Sequence, residues 1–286
     1  MNLTEYDISR PYKATVVKSE RITDESTDEV RHITLNVSDA TFHYLEGQSV
    51  GVLVPGPHQF GNETHMRLYS IANARQGEEQ NMSEISLCVR RCFYIDEVSG
   101  ERYPGVASNF LCDRVPGDQV ELAGPYGRHF MPPRDKTCNI LMIGIGTGIA
   151  PFRAFLKHVY EERKEWTGKV RLFYGAKTGM DLLYMNDKNG DLANYYDKET
   201  FKAIEALSPR PHADAPEEID RTLVENKDEV WELVKDPKTY VYVSGLSRLE
   251  ETLDKTLAEM AGSAEAWGEM KKQMAAQGRW ATLFYE

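Results

Sequence analysis

The stretch NILMIGIGTGIAPFRAFL, residues 139–156, restricts the fold of the second half of the chain more than any other. Its first part is a continuous apolar run of strand length, which is typical of a strand buried on both faces. Gly146 and Gly148 follow directly, and apolar residues then recur at helical spacing. Glycines between a strand and a helix let a pyrophosphate approach backbone N–H groups. The stretch therefore predicts either a nucleotide-binding turn or a tight strand-to-helix turn without a ligand.

The rest of this half alternates between strand and helix patterns. VRLFYGA and TYVYVSG are typical of buried strands, whereas TLVENKDEVWELVK has the spacing of a helix. A capping-box pattern from Ser247 to Glu250 predicts the start of another helix. Alternating strands and helices predict a parallel sheet built from βαβ units, here over residues 135–286.

The first half, residues 1–134, has a different pattern. Short β-branched or alternating runs, among them KATVVKS, VRHITLNV, SVGVLV, EISLCVR and DQVELAG, are separated by Gly- and Pro-containing turns. Many short strands with few helical stretches predict an antiparallel barrel or sandwich. The Pro-rich, charged segment PPRDKTCN marks the predicted boundary between the two domains.

Composition excludes several classes of protein. The net charge is −11, without the clustered positive charge that nucleic-acid binding needs. No apolar run is long enough to span a bilayer, and the N-terminal residues lack the apolar core of a secretory signal, so we expect a cytoplasmic protein. CxxC and HxxxH patterns are absent, which predicts no metal site. We expect small core residues at all four cysteines, which are Cys88, Cys92, Cys112 and Cys138.

A family resemblance rests on several motifs in order along the chain. GTGIAPFRAFL, together with RLYSIAN (Arg67 to Asn73), resembles the plant-type ferredoxin–NADP reductases. The similarity continues through SLCVRRCFY, GVASNFL, GPYGRHF, FYGAKTGMDLLY, YVYVSGL and the aromatic C-terminal segment. It implies an antiparallel FAD-binding β-barrel of six strands, followed by a parallel-sheet α/β domain that binds a pyridine nucleotide.

The resemblance implies flavin contacts for three residues of RLYSIAN. Arg67 matches the residue that meets the flavin pyrophosphate, and its guanidinium can bind phosphate oxygens in a bidentate manner. Tyr69 matches the aromatic residue that packs on one flavin face. Ser70 matches the hydroxyl near flavin N5 and the incoming nicotinamide, so we expect it to be catalytic.

Further FAD contacts are implied in other motifs. Cys88, Val89 and Arg90 match the segment around the ribityl and adenosine portions, Tyr94 matches the residue stacked on adenine, and Gly105, Val106 and Ser108 match a phosphate-binding turn. Thr147 matches the position where flavin and nicotinamide meet, and Tyr285 matches the tyrosine that lies flat on the isoalloxazine. The resemblance also implies NAD(P) contacts at Gly146, Thr147, Gly148, Ala176, Lys177, Ser208, Arg210, Ser244, Gly245 and Leu246.

Two departures from the family pattern concern the site of hydride transfer. Ser244 stands where the plastid enzymes have a cysteine, and we expect it, with Tyr285, to be catalytic. Leu283 takes the position of a glutamate implicated in proton delivery, so a step that needs a proton relay should be slower. Glu286 follows Tyr285 as an additional carboxylate, which either compensates for Leu283 or is a solvated terminal residue.

A third departure concerns the choice between NADPH and NADH. In ALSPRPHADAPEEIDRTL, Glu217 and Glu218 fall where the family binds the 2′-phosphate, and carboxylates repel a phosphate. Arg210, His212 and Lys177 can restore positive charge. The sequence therefore predicts relaxed specificity or a preference for NADH.

The resemblance implies FAD-dependent electron transfer between NAD(P)H and a one-electron carrier, ferredoxin or flavodoxin. Such carriers are expected to be acidic, so we expect a basic docking face, with candidates at Arg75, Arg90, Arg91, Arg102 and Arg128. One alternative is the reductase component of an oxygenase or reductase system with a dedicated carrier. A second alternative is a regulatory subunit that binds flavin or nucleotide without catalysis.

Overall fold

A computed structural model of the chain describes residues 6–56, 63–77, 81–96, 98–208 and 218–285. The chain divides into two compact units, Met1–Arg128 and His129–Glu286. Within the described residues, every helix is too short or too polar to cross a bilayer.

A six-stranded antiparallel sheet forms the first unit. Its strands are β1 (Tyr12–Arg21), β2 (Val30–Val37), β3 (Ser49–Pro55), β4 (Thr64–Ser70), β5 (Glu84–Arg90) and β8 (Gln119–Tyr126). Their order is β4-β3-β8-β1-β2-β5, and every pairing is antiparallel. The two outer strands approach each other, because Ala72 N donates to Ser86 O at 2.7 Å and Ile71 pairs with Leu87. The sheet is therefore barrel-like, which confirms the predicted fold of this half.

A short ribbon and a helix lie between β5 and β8. The ribbon consists of β6 (Phe93–Ile95) and β7 (Arg102–Pro104), and helix α1 (Val106–Cys112) follows it at once. Helix α1 packs against β3, β4 and β5 and buries Ala107 and Leu111 in the barrel core.

The second unit contains a five-stranded sheet in which all strands are parallel. Its strands are β9 (Asn139–Ile145), β10 (Val170–Ala176), β11 (Phe201–Leu207), β12 (Thr239–Leu246) and β13 (Trp280–Tyr285), in the order β11-β10-β9-β12-β13. The helices are α2 (Ile149–Lys157), α3 (Ile219–Glu225), α4 (Lys227–Lys235), α5 (Arg248–Ala261) and α6 (Ala264–Ala276). This arrangement confirms the predicted parallel α/β fold.

Aromatic packing shows why the second unit begins before the Pro-rich segment. The Phe130 ring lies 6.1 Å from that of Phe152 and 5.2 Å from that of Tyr242. The Tyr242 hydroxyl also donates to Met131 O at 2.6 Å. Phe130 and Met131 therefore pack with the second sheet, whereas the sequence places the boundary at 134/135.

Local predictions in the second unit need two corrections. The helix expected over TLVENKDEVWELVK is divided at Asn226, whose side chain donates to Thr222 O at 2.8 Å. Ser247 does precede α5, yet its hydroxyl makes no capping bond. Ser263 instead caps α6 by accepting from Ala266 N at 3.1 Å.

The cysteine prediction holds for three of the four residues. Cys88, Cys112 and Cys138 are buried, and burial raises the pKa of Cys112 to about 12. Cys92 is exposed, because it follows β5 at the point where the chain leaves the barrel. The prediction of a core residue is therefore wrong at Cys92.

Candidate functional site

The predicted nucleotide-binding residues of the second unit gather at one edge of its sheet. Strands β9 to β13 run in the same direction, so their carboxyl ends share an edge. Gly146–Gly148 follows β9, Ala176 ends β10, and Leu246 ends β12. Lys177 and Ser208 come directly after β10 and β11. Ligands of open α/β sheets bind at this edge, so the topology agrees with the expected location.

The glycine turn after β9 leaves no space for a side chain at one position. A Cβ on Gly148 lies 2.2 Å from the carbonyl oxygen of Ser244, a distance that requires the backbone to move. Gly146 has a φ of +54°, which disfavours residues with a Cβ. The Tyr174 hydroxyl donates to Gly146 O at 2.8 Å and fixes the turn from the neighbouring strand. Sequence reasoning assigned no role to Tyr174.

The side chain of Tyr285 reaches this turn. Its hydroxyl accepts hydrogen bonds from the Thr147 hydroxyl at 2.9 Å and from Gly148 N at 3.1 Å, and donates to Ile145 O at 3.3 Å. The hydroxyl thus contacts the same N–H group that the turn offers to an anionic ligand. The C-terminal strand therefore forms part of the nucleotide-binding edge.

Pairing between β12 and β13 places the two departures from the family pattern side by side. Ser244 pairs with Leu283, and Leu246 pairs with Tyr285, so the side chains of all four lie on one face of the sheet. The Ser244 hydroxyl is fully buried and has no hydrogen-bond partner among the residues that the structure describes. Leu283, its strand neighbour, offers no acceptor, and an unpaired buried hydroxyl is costly.

An ion pair behind the turn positions helix α2. The buried Arg153 binds Asp191 at 2.5 Å, and its guanidinium lies 5.0 Å from the centre of the Tyr184 ring. This pair links α2 to the segment that follows β10. The motif that contains Arg153 was recognised in the sequence, but the role of this residue required the position of Asp191.

The first unit gathers the residues for which FAD contacts are expected. Arg67 lies in the middle of β4, and Tyr69 and Ser70 end this strand, which is one of the two outer strands of the barrel. Arg67 is exposed, whereas Tyr69 packs against the barrel core. Burial raises the pKa of the Tyr69 hydroxyl above its ordinary value.

Two of the three expected contacts on β5 have buried side chains. Cys88 and Val89 are 5% and 0% exposed, so only their backbone groups can face a ligand. The side chain of Arg90 is half exposed and lies 3.5 Å from Asp28. Sequence matching found these positions but did not distinguish backbone contacts from side-chain contacts.

The ribbon and the turn before α1 supply the remaining positions. The Ser108 hydroxyl accepts from Cys92 N at 3.1 Å, and Gly105 N donates to Cys92 O at 2.9 Å, so the turn is tied to the end of β5. Val106 is partly exposed, and the Tyr94 ring is 48% exposed. Arg210, Glu217 and Glu286 lie outside the described residues.

Comparisons with known proteins decide the family. Residues 142–255 match the model of the oxidoreductase NAD-binding domain. The chain is 34% identical over 283 residues to the ferredoxin–NADP reductase of a Spirulina species, covering 96% of this chain and 95% of the relative. The chain belongs to the ferredoxin–NADP reductase family. A rice relative named as ferredoxin–NADP reductase, leaf isozyme 2, chloroplastic, is 36% identical to this chain. The match covers 98% of this chain and 77% of the relative.

A solved structure agrees with the family at the level of the fold. Ferredoxin–NADP⁺ reductase from Plasmodium falciparum superposes with a TM-score of 0.76 over 98% of both chains, at 23% identity. A further structure of that reductase contains 2′P-AMP and has a TM-score of 0.74.

Proposed function

We propose that this member of the ferredoxin–NADP reductase family is an FAD-dependent enzyme that transfers electrons between NAD(P)H and ferredoxin or flavodoxin. The observation that carries the proposal is identity of about a third to reductases over nearly the whole chain, with the nucleotide positions at one sheet edge. When bound, FAD supplies the chemistry that accepts a hydride and releases single electrons. Residues of the chain bind and orient the reactants.

The first unit fits an FAD molecule by two features. Arg67 offers an exposed guanidinium in the middle of β4, which suits a pyrophosphate. Tyr94 offers an exposed ring that suits the adenine. We assign the turn Gly105–Ser108 to phosphate contacts and Ser70 to the hydroxyl near flavin N5, as the resemblance implies.

The second unit fits a pyridine nucleotide by its glycine turn. The absence of a side chain at Gly148 lets the turn pack directly against the Ser244 backbone. We assign the backbone N–H groups of this turn, at the start of α2, to the ligand pyrophosphate. We assign Ser244 to the orientation of the nicotinamide, because positioning supplies much of the acceleration of hydride transfer. Its hydroxyl is fully buried, so this contact requires a neighbouring group to move when the nucleotide binds. Binding requires the Tyr285 hydroxyl to leave Gly148 N. We retain Tyr285 as the residue that stacks on the isoalloxazine when the nucleotide is absent.

Leu283 stands where the family pattern has a glutamate, so the sheet face that carries Ser244 lacks this proton donor. A carboxylate at this position lies beside the Ser244 hydroxyl, since the two residues are strand neighbours. We expect Leu283→Glu to raise kcat for steps that consume a proton by about tenfold, because general acid catalysis contributes about 10²–10⁴-fold where it operates. Leu283→Gln is the matched control that keeps the size without the acid. Equal rates for the two variants and the parent protein contradict the assigned proton deficit.

The nucleotide preference stays a prediction. Arg210, His212 and Glu217 lie outside the described residues, whereas Glu218 lies at the start of α3. The P. falciparum reductase binds 2′P-AMP, which carries the phosphate that distinguishes NADP from NAD. The two acidic residues still favour relaxed specificity or NADH. A preference for NADPH above about a hundredfold in kcat/KM, about 2.7 kcal/mol, contradicts this prediction.

Ion pairs reduce the positive charge of the docking face that we expect for an acidic carrier. Arg75 binds the buried Glu46 at 2.5 Å, and Arg91 binds Glu29 and Asp113 at 2.7 and 2.8 Å. These guanidiniums are neutralised by carboxylates and add little net positive charge.

Other cations of the expected face are engaged differently. Arg90 lies near Asp28, and Arg102 lies over the Phe93 ring. Arg128 is exposed and stays a candidate contact for the carrier.

An anaerobic titration tests the proposal. The purified protein is mixed with NADPH or NADH while the absorbance of oxidised flavin is followed, and ferredoxin, flavodoxin or a dedicated oxygenase carrier is then added. Bleaching by either nucleotide and reoxidation by ferredoxin or flavodoxin are expected. Bound flavin that neither nucleotide bleaches supports the regulatory alternative, and reoxidation by a dedicated carrier alone supports the oxygenase alternative. A cytoplasmic location stays part of the proposal, and cell fractionation tests it.

A further inference from the structure

Two exposed tyrosines stack on each other on the ribbon of the first unit. Tyr94 and Tyr103 are directly opposite each other in β6 and β7, so their side chains lie on the same face of the ribbon. Their ring centroids are 5.6 Å apart and their planes are inclined by 24°, as in an offset stack. The residues are 48% and 38% exposed, so the pair presents an aromatic surface to solvent.

Contacts on both strands show which ring is available to a ligand. The Tyr103 hydroxyl donates to a carboxylate oxygen of Glu101, two residues earlier in the chain, at 2.6 Å, and this bond restrains the ring. On the opposite face of the ribbon, the guanidinium of Arg102 covers the Phe93 ring at 3.8 Å from its centre. The Phe93 face is therefore engaged by a cation, whereas Tyr94 has a stacking partner on one side and solvent exposure on the other.

We propose that Tyr103 is a positioning residue for FAD, which supports Tyr94 so that the adenine ring stacks on the outer face of Tyr94. The proposal rests on the FAD binding proposed above and extends it to a residue outside the family motifs. A ring that is already held in place loses less side-chain freedom when a base stacks on it, so binding is tighter. FMN has no adenine, and the pair therefore contributes to the selection of FAD over FMN.

Release of FAD from the full-length holoprotein tests the role of Tyr103. After dilution, the rise in flavin fluorescence gives the dissociation rate. We expect Tyr103→Val to accelerate release about fivefold, since aromatic pairs stabilise by an amount of this order. Tyr103→Phe keeps the ring and should stay within about twofold of the parent protein. Phe93→Val is the matched control, because it removes a ring from the opposite face of the same ribbon, and it should also stay within about twofold.

Titration of the apoprotein separates adenine stacking from general weakening of the ribbon. Tyr103→Val should raise the Kd for FAD about fivefold and leave the Kd for FMN unchanged. Equal losses for FAD and FMN, or equal acceleration in Phe93→Val, overturn the proposal. If Tyr103→Val does not fold, Tyr103→Leu replaces it, with the same expected results. If the parent protein binds no flavin, the proposed function is overturned. If the parent protein binds FAD and Tyr103→Val has the same Kd and dissociation rate for FAD, only the role of Tyr103 is overturned.

Discussion

We expect the hydroxyl of Tyr285 and a bound nucleotide to compete for the same backbone group, the N–H of Gly148. The hydroxyl accepts from Gly148 N and from Thr147, and donates to Ile145 O, at 2.9 to 3.3 Å. If the nucleotide uses Gly148 N–H, these three bonds must break first. Tyr285→Phe removes the competing hydroxyl and keeps the aromatic ring. The variant should therefore bind the nucleotide more tightly than the parent protein.

The expected size follows from the net strength of these bonds. A hydrogen bond within a protein contributes about 0.5–1.5 kcal/mol, because the groups bond to water when it is broken. Tyr285 is partly exposed, and the bond to Ile145 O is long, so we expect a total of about 1 kcal/mol. This total corresponds to about a fivefold decrease in the Kd for NADP⁺, since 1.4 kcal/mol is tenfold.

Difference absorbance of the oxidised protein during titration with NADP⁺ measures the Kd. Tyr44→Phe is the matched control, since it removes a buried hydroxyl that donates to Ala74 O at 2.6 Å in the first unit. This control should lower stability and leave the Kd unchanged. Tyr285→Ser removes the ring as well and should change both affinity and the NADPH-to-NADH ratio. An unchanged or higher Kd in Tyr285→Phe refutes the competition.

Three further predictions follow from single contacts. Gly148→Ala should destabilise the protein by about 1–3 kcal/mol in thermal melts and abolish flavin reduction by NADPH. Gly179→Ala is the control, because a Cβ there meets nothing within 4 Å, and it should leave both stability and reduction unchanged. Titration with a thiol reagent should show one fast-reacting thiol in the native protein, and this thiol should be absent in Cys92→Ser. Several fast-reacting thiols in the native protein would contradict the burial of the other cysteines. Hydrogen bonds from Arg91 and Arg31, which outweigh the opposing effect of burial, hold the pKa of Glu29 below its ordinary value of 4.5. Stability from Glu29 is therefore present above pH 4.5 and lost as the pH falls through the lowered pKa, so denaturant melts of Glu29→Gln should show a smaller loss of stability on acidification.

Much of the fold could be predicted because its signals are local. The apolar run before Gly144, the short alternating strands of the first half and the alternation of strands and helices in the second each reflect a hydrophobic period. Strand β11 was not predicted, because the sequence around it shows no clear hydrophobic period. Its buried and exposed residues alternate irregularly. The break at Asn226 was missed because its side chain bonds to the helix backbone, a contact that hydrophobic spacing does not report.

The candidate site could be predicted only as a set of positions. The motif match located Ser244 and Tyr285, but it could not reveal that the Ser244 hydroxyl lacks a partner or that Tyr285 bonds to the glycine turn. It also placed Cys88 and Val89 near the ligand without indicating that both side chains are buried. These properties depend on strand pairing and packing, which join residues far apart in the chain.

The sequence by itself determined the two fold types, the family and the glycine turn, because each depends on the order and spacing of neighbouring residues. The tertiary structure alone decided three further points. The parallel register of β12 and β13 places Leu283 beside Ser244. The ion pair of Arg153 with Asp191 fixes α2. The cross-strand stack places the Tyr103 ring against the Tyr94 ring. Each point depends on distances between side chains from separate elements, and only the packed chain sets those distances.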